Sequence, residues 1–446
     1  MNRAAAAIVA SSGAPRSETS RGPAPSLARN AFWSLAGNGA YAAGQWSAIV
    51  LLARFGGSAE VGRYALGVAL TAPIVLCANC ALRTVQATDV DERFSFADYL
   101  AFRLSSLVVA ALVMVAAAAG FADGADAGVV LVVGLGKLIE SYGDLLHGAL
   151  WRCERLDIVG KSQLWRGTGA LAAAALGAAY GATALAVAAL TALAAAATLL
   201  AFDLPALAGT LPDGRRGLAS LLRPRWHRGQ LSALARQTVP LGVTVLSGSL
   251  ILNVPRYAVE QRLGLEALGV FAALAYFSMI GNLPATSLAQ AVLPRWSRAV
   301  ARGDRQAFYR GVARFSAGAA AAGVAGTLLA ALVGPQLLAV LYGPEYARRA
   351  DVFFVLMASV GCGMVVCGLD HALYAARRFR VQLPLNGAVL VLTAAAASAW
   401  TATHGLLGAA YAALASMAAA VVLRVGLLWI EPLPAAASSA AEGGRP

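Results

Sequence analysis

The chain has 446 residues, of which 59% are hydrophobic and only 13% are charged, with a formal net charge of +13. In a soluble protein such an excess of arginine would favour nucleic-acid binding, because basic side chains neutralise phosphates. Here the basic residues are concentrated in short segments between long apolar stretches. That pattern excludes a soluble domain and predicts contact with anionic lipid headgroups rather than with nucleic acid.

Twelve apolar stretches run through the chain, and a bilayer core of about 30 Å takes about 20 residues of helix. The fifth and sixth are separated only by the break near Tyr180. The sequence therefore predicts an all-α polytopic membrane protein of about twelve transmembrane helices. The predicted spans are 31–53, 61–82, 99–121, 128–150, 165–180, 182–202, 238–259, 267–292, 312–333, 351–375, 381–400 and 405–429.

Arginine is concentrated on every second connection between these spans. Short loops rich in lysine and arginine stay in the cytoplasm, so the connections after spans 2, 4, 6, 8 and 10 are predicted to be cytoplasmic. Asp123 then lies in an outer loop, and Lys137 falls in mid-membrane. We predict a multi-pass protein of the bacterial inner membrane with both termini in the cytoplasm.

The longest basic loop divides the predicted spans into six before it and six after it. The composition of the segments outside the spans, rich in Pro, Ser, Gly and Ala, is typical of disordered tails. We predict a disordered cytoplasmic tail at 1–29, an N-terminal six-helix lobe at 30–203, a basic cytoplasmic linker at 204–236, a C-terminal six-helix lobe at 237–430 and a disordered tail at 431–446.

The two halves contain a short internal match. Gly57 and Gly62 in the first hairpin correspond to Gly264 and Gly269 in the seventh-to-eighth hairpin, and an aromatic residue and an alanine follow in both. Because six spans separate the two hairpins, the match predicts a parallel repeat, and such repeats place a substrate site near the membrane midplane. Two unrelated glycine-punctuated hairpins would give the same short match.

Several motifs resemble one transporter family, and they are sharpest in the first 105 residues. They are Arg29-Asn30-Ala-Phe-Trp33, the Gly57-x4-Gly62-x-Tyr-Ala hairpin, Arg83-Thr-Val-Gln86-Ala-Thr-Asp89, Phe96-x-x-Tyr99-x-x-x-Arg103, and later Leu338-Ala-Val-Leu-Tyr-Gly343-Pro-Glu345-Tyr346-Ala347. Over residues 30–430 the chain resembles the polysaccharide-export branch of the multidrug/oligosaccharidyl-lipid/polysaccharide (MOP) flippase superfamily, the Wzx-like O-antigen and exopolysaccharide flippases.

The resemblance implies a transporter that works by alternating access around a central cavity. Its substrate would be an undecaprenyl-pyrophosphate-linked oligosaccharide, flipped from the inner to the outer leaflet. Membrane lipids are further expected partners, as are the polysaccharide polymerase and glycosyltransferases of the same pathway. No cofactor is implied. The sugar, the coupling ion, the oligomeric state and the moving lobe are left open.

The fourth span holds the strongest candidate site. Lys137, Glu140, Asp144 and His147 lie within about 80° of one another on a helix, and buried ionisable residues usually mark a substrate path. We expect Lys137 to attract the diphosphate, with Glu140 and Asp144 as its partners or as a proton or cation relay. An ion-pair stripe that only fixes one helix to another is the alternative. His147 is expected to be solvated at headgroup level.

Further candidates lie in other spans. Arg256 in the seventh span is the expected second anion contact, since a guanidinium grips phosphate bidentately, with Asn253 one turn before it; snorkelling to the headgroups is the alternative. Gln45 and Asn38 in the first span suit sugar hydroxyls or interhelical packing. At the cytoplasmic mouth we expect Arg83 and Arg103 to serve topology and lipid contact, with headgroup capture as the alternative.

Other functions fit the sequence less well. The loops show no nucleophile–base set, and Cys77-x-x-Cys80 lies in an apolar helix and is expected to pack there, so we predict neither an enzyme nor a metal site. A drug or cation antiporter of the MATE type, from the same superfamily, is the main competitor. It would use intramembrane acids without a balancing base, whereas Lys137 shares the acidic stripe.

Overall fold

The computed structural model describes residues 27–89, 93–121, 124–211, 213–378 and 381–430. Within these ranges the chain is helical, without a strand, which confirms the predicted all-α class. The first helix begins at Leu27, so the end of the predicted tail 1–29 is already helical. The rest of that tail, the tail 431–446 and Asp123 lie outside the described residues.

The described helices are numbered here in chain order. They are α1 Leu27–Phe55, α2 Ser58–Asn79, α3 Leu82–Thr88, α4 Phe96–Phe121, α5 Gly124–Arg152, α6 Leu156–Ala179, α7 Ala184–Thr198, α8 Leu204–Ala208, α9 Gly214–Leu221, α10 Arg228–Ala275, α11 Phe277–Ala301, α12 Arg305–Leu341, α13 Pro344–Ala347, α14 Ala350–Ala375 and α15 Gln382–Ile430. A π-helical turn, Leu199–Asp203, joins α7 to α8.

Seven helical stretches in the described ranges are long and apolar enough to cross a membrane. Two of them exceed the length of one crossing: Arg228–Ala301 has 74 residues and Gln382–Leu428 has 47. Each contains a glycine with non-helical backbone angles, Gly264 and Gly405. The helices α1, α5 and α6 are not among the seven. Helix α5 carries Lys137, Glu140, Asp144 and His147 in its middle and second half. The chain is a multi-pass membrane protein, and the count of twelve spans stays a prediction.

The chain forms two compact units. One consists of the chain up to Asn253 together with Leu265–Val270, and the other of Val254–Gly264 and the chain from Phe271 onward. This division falls inside α10 and not in the predicted linker 204–236. The predicted lobe boundaries are therefore not the contact boundaries, and they stay a prediction about membrane topology.

In the first unit, α1 packs along α6 through glycines. Gly37 lies against the backbone of Gly160, and Gly44 lies against that of Gly167, so neither position has room for a Cβ atom. Helix α5 lies between α2, α4 and α7. A core of large aliphatic side chains, including Leu100, surrounds the second half of α5. The ionisable face of α5 is thereby enclosed by neighbouring helices.

The repeated glycines adopt equivalent conformations. Gly57 and Gly264 both have a φ of 82°, in the left-handed region that favours glycine. Gly62 lies against the backbone of Leu265, and Gly269 lies against that of Ser58, so each hairpin contacts the other through its second glycine. The sequence match thus corresponds to equivalent backbone turns.

In the second unit, α14 is the central helix and packs on α11, α12 and α15. Gly323 of α12 and Gly361 of α14 meet backbone to backbone. An aromatic and aliphatic core around Phe308 and Phe315 fills the end of this unit that contains the end of α14.

Candidate functional site

Lys137 lies in the middle of α5 and is paired with a carboxylate. Its Nζ is 2.9 Å from Glu140 Oε2. The hydroxyl of Tyr41 donates to the same oxygen at 2.9 Å and accepts from Lys137 Nζ at 3.3 Å. Gln45 Nε2 lies 3.5 Å from Glu140 Oε1. The predicted partnership of Lys137 with Glu140 is observed, and α1 supplies two further hydrogen-bond donors to the carboxylate.

A small cavity adjoins this cluster. It is lined by Gln45, Lys137 and Glu140 together with Tyr64 of α2 and small residues of α7. Its volume of about 20 Å³ is room for one water molecule. A diphosphate does not fit in this conformation, so binding one requires the cavity to widen.

Asp144, one turn further along α5, is paired with different residues. Arg83 Nη1 lies 2.9 Å from Asp144 Oδ1, and Arg103 Nη2 lies 3.7 Å from Oδ2. Arg103 also donates to the side chains of Asn79 and Ser141. Asp144 is therefore not a partner of Lys137, because the arginines of the connection after α2 and of α4 take its two oxygens.

The lipid contact predicted for Arg103 is not observed. Its side chain has no exposed surface, whereas the sequence placed it at the cytoplasmic membrane surface. The hydrogen bonds from Nη1 to Asn79 and Ser141 and the nearby Asp144 carboxylate compensate only part of its burial. Arg83 is 34% exposed, and its guanidinium lies 4.8 Å from the centre of the Trp151 ring. Their predicted roles in topology stay predictions.

His147 is also misplaced by the sequence prediction. It is 1% exposed rather than solvated, and its Nε2 lies 3.1 Å from Ser162 Oγ and 3.6 Å from Asp203 Oδ1. Arg166 Nη2 binds the other oxygen of Asp203 at 2.7 Å. At Gly143 of α5, Arg166 Nη2 lies at the place where a Cβ would be.

Sequence reasoning missed Asp203 and Arg166 as members of a buried network. Asp203 directly follows a predicted span, and Arg166 lies in the first turn of another, so both look like interfacial residues. The π-helical turn ending at Asp203 is a rare conformation that is frequent at functional sites. In the sequence, the available signal was an acidic residue at the end of an apolar run.

The second unit contains a similar three-helix polar contact. Arg424 of α15 is 3% exposed, binds Asp370 of α14 at 2.7 Å, and donates to Asn386, in the first part of α15, at 2.9 Å. Asp370 is thus held inside this unit by Arg424. In both units, the fourth and sixth helices of the predicted lobe are joined by a carboxylate and a buried cationic or imidazole partner.

The remaining predicted site residues are not gathered at Lys137. Asn38 is exposed, and the cavity beside Lys137 is not lined by it. Asn253 is buried and donates to the carbonyl oxygen of Ser249 at 2.8 Å, within its own helix. Arg256 is half-buried in the second unit. Of the predicted set, the structure brings together Lys137, Glu140 and Gln45 in one cluster and Asp144, Arg83 and Arg103 in another.

The start of α1 is fixed to the segment before α6. Asn30 donates to the carbonyl oxygen of Glu154 and accepts from the backbone N–H of Asp157. Burial of Asp157 alone would raise its pKa, but Arg155 and Arg29 hold the pKa of this carboxyl below its ordinary value. The Arg29-Asn30 motif therefore has a structural role.

The described residues contain no group of three or more His, Cys, Asp or Glu side chains placed to hold a metal ion. Cys77 and Cys80 are free thiols. The four ionisable residues that the sequence placed on one face of α5 thus belong to three separate clusters, at Lys137, at Asp144 and at Asp203.

Comparison with known proteins identifies the fold. No family model matches the chain. The capsular polysaccharide biosynthesis protein CapF of Staphylococcus aureus is 24% identical over 368 residues, which are 81% of this chain and 89% of that protein.

Two solved structures are similar over most of the chain. An inward-facing multidrug resistance MATE family transporter of the MOP superfamily has a TM-score of 0.68 at 15% identity, covering 87% of this chain and 93% of that one. The lipid II flippase MurJ, in an inward closed conformation, has a TM-score of 0.68 at 10% identity, covering 90% of this chain and 88% of that one. The chain has the fold of MOP-superfamily transporters, as the sequence motifs predicted. Its assignment to the polysaccharide branch stays a prediction.

Proposed function

We propose that this protein flips an undecaprenyl-pyrophosphate-linked oligosaccharide from the inner to the outer leaflet of the bacterial inner membrane, for O-antigen or exopolysaccharide biosynthesis. The observation that carries the proposal is Lys137, a cation held in mid-helix beside a cavity and neutralised by a single carboxylate, Glu140. Likeness to CapF, whose name refers to capsular polysaccharide, and the fold of the flippase MurJ support it.

The Lys137 cluster is suited to bind an anion reversibly. Glu140 serves as the counterion while the site is empty, so that no unpaired charge lies in the membrane. When a phosphate approaches, Lys137 turns to it, and the carboxylate keeps the hydrogen bonds from Tyr41 and Gln45. Widening of the one-water cavity then belongs to the alternating-access cycle.

The proposed setting follows from the substrate. Both termini lie in the cytoplasm, where the lipid-linked glycan is made by glycosyltransferases. The polymerase of the same pathway receives it on the outer side. Membrane lipids surround the protein, and transport itself forms no covalent bond, so the protein is not an enzyme.

Cells that lack the gene and carry variants on a plasmid test the role of Lys137. Lys137→Ala removes the cation and should abolish surface polysaccharide while the protein stays in the membrane. The loss of one desolvated charge contact is about 2–5 kcal/mol, enough to stop flux. Lys137→Arg should retain part of the export, and polysaccharide is measured on the cell surface.

Lys161 is the matched control, since it is the other lysine of the chain and contacts the Trp33 ring at 5.1 Å. Lys161→Ala should export normally. Normal surface polysaccharide in Lys137→Ala cells would contradict the assignment of the site.

A MATE-type drug or cation antiporter is the second candidate, favoured by the likeness to an inward-facing MATE transporter. In an antiporter, Asp144 or Glu140 must release and rebind a proton in each cycle, so Asp144→Asn should eliminate drug–proton exchange. In the flippase, Asp144 is paired with Arg83, away from Lys137, and the same change should reduce export only in part.

Vesicles containing only this protein separate the two functions. We expect no drug–proton exchange in them and no change of drug susceptibility on deleting the gene. Exchange that is present in the wild type and lost in Asp144→Asn would show the antiporter to be correct.

A further inference from the structure

Several buried polar atoms near the second half of α5, four of them N–H donors, have no hydrogen-bond partner among the described residues. Gln86 of α3 is 1% exposed, and neither its amide nitrogen nor its amide oxygen is hydrogen-bonded. The same holds for Nε and Nη2 of Arg103 and for Nε1 of Trp151. Buried polar atoms in native proteins almost always have a partner, so several in one place require an explanation.

These groups belong to one neighbourhood. The amide oxygen of Gln86 lies against Gly148 of α5, where a Cβ atom would overlap it, and the backbone of Arg83 reaches the same glycine. The Arg83 guanidinium covers Trp151 and is bonded to Asp144, which also faces Arg103. Asp144, Gly148 and Trp151 are spaced at i, i+4 and i+7 and so share one face of α5. We call Arg83, Gln86, Arg103, Asp144 and Trp151 the Arg103 cluster.

The chemistry of the Arg103 cluster suits an anion with several oxygens. Two arginines face one carboxylate, which leaves one positive charge in excess. Four unused N–H groups outnumber the one unused acceptor, the Gln86 amide oxygen. A buried donor without a hydrogen bond destabilises the folded protein. Phosphate oxygens are acceptors that guanidinium groups bind in pairs. The partial exposure of Arg83 (34%) and of Asp144 (25%) gives such a group access.

We infer that the Arg103 cluster is a second phosphate-binding site of the first unit, separate from the Lys137 cavity. A phosphate group of an amphiphile or a free phosphate displaces the Asp144 carboxylate from Arg103, where its contact is already long at 3.7 Å. The bound oxygens accept from Arg103 and from the Gln86 amide. The site stands on its own contacts, and only the identity of its natural ligand as the diphosphate of the transported lipid rests on the proposed function.

Gln86 provides a sharp test because it has no hydrogen-bond partner to lose among the described residues. In the full-length protein in phosphatidylcholine nanodiscs, binding of radiolabelled inorganic pyrophosphate is measured for the wild type and for Gln86→Met. We expect the Kd to rise about tenfold, the effect of losing one hydrogen bond to a charged group. The melting temperature of the ligand-free variant should be unchanged or higher, since an unsatisfied buried amide is removed.

Gln382→Met is the matched control, because Gln382 is a buried amide of the second unit whose Nε2 is likewise without a hydrogen bond in the described chain. It should bind pyrophosphate like the wild type. An unchanged Kd in Gln86→Met, or a wild type that binds no pyrophosphate, overturns the site. A lower melting temperature of Gln86→Met with an unchanged Kd would show a structural amide and also overturns it.

Nanodiscs containing phosphatidylglycerol distinguish the sources of the phosphate. If this lipid competes with pyrophosphate for the site, the natural ligand is a lipid headgroup. If it does not compete, the natural ligand is a diphosphate. Both results support a phosphate site. Failure here is separable from failure of the proposed function. If Gln86→Met binds normally while Lys137→Ala loses export, this site is wrong and the proposed function stands. If Gln86→Met weakens pyrophosphate binding while deletion of the gene leaves surface polysaccharide unchanged, the proposed function is wrong and the site stands.

Discussion

At the scale of single residues, α5 shows how far spacing alone can predict a site. The positions of Lys137, Glu140, Asp144 and His147 predict a shared helix face, and all four are at least partly enclosed by neighbouring helices. The spacing predicts the Lys137–Glu140 pair because both partners lie on one helix. The spacing along one helix does not show which residues of other helices lie against it. The contacts of Asp144 with Arg83 and of His147 with Asp203 were therefore not predicted.

The Asp203 network gives a prediction about stability at this scale. Asp203→Ala leaves Arg166 buried without its carboxylate and should destabilise the protein by about 3–5 kcal/mol. Asp126→Ala is the control, since its partner Arg63 is 37% exposed and exposed pairs contribute about 0–1 kcal/mol. Thermal unfolding of the purified variants measures both. Equal melting temperatures for the two would show that the Asp203 network carries no stability.

At the scale of helices, the sequence located the breaks but not the packing partners. The predicted loops around Gly264 and Gly405 coincide with non-helical glycines inside long helices, because glycine punctuation is a local signal. That α1 packs against α6 depends on glycines about 120 residues apart, such as Gly44 and Gly167, and a single sequence does not show which glycines meet.

The α1–α6 contact leads to a second prediction. Gly167→Val places a branched side chain against the backbone of Ala40 and should separate the two helices, which moves Tyr41 and Gln45 away from Glu140. We expect a lower melting temperature and weaker export together. Gly39→Ala is the control because a Cβ at Gly39 meets nothing within 4 Å, and alanine in a helix is usually stabilising. A Gly167→Val protein as stable as the wild type would contradict the close packing.

At the scale of the whole molecule, orientation is the prediction that rests on the sequence alone. A reporter fused at Gly181 should be read as periplasmic, and reporters at Arg216 or Arg378 as cytoplasmic, because arginine-rich connections stay inside. Alkaline phosphatase activity reports a periplasmic fusion site, and fluorescence of a fused fluorescent protein reports a cytoplasmic one. A periplasmic result at Arg216 would overturn the division into six spans and six spans and the cytoplasmic termini with it.

The most direct test of the central claim is flipping in a purified system. Proteoliposomes containing only this protein and a fluorescent undecaprenyl-pyrophosphate-linked oligosaccharide report transfer between leaflets through quenching by an impermeant reagent. We predict that the wild type and Lys161→Ala move the lipid, that Lys137→Arg moves it slowly, and that Lys137→Ala does not. Transfer by Lys137→Ala at the wild-type rate, or no transfer by the wild type, would contradict the claim that Lys137 carries a lipid-linked diphosphate across the membrane.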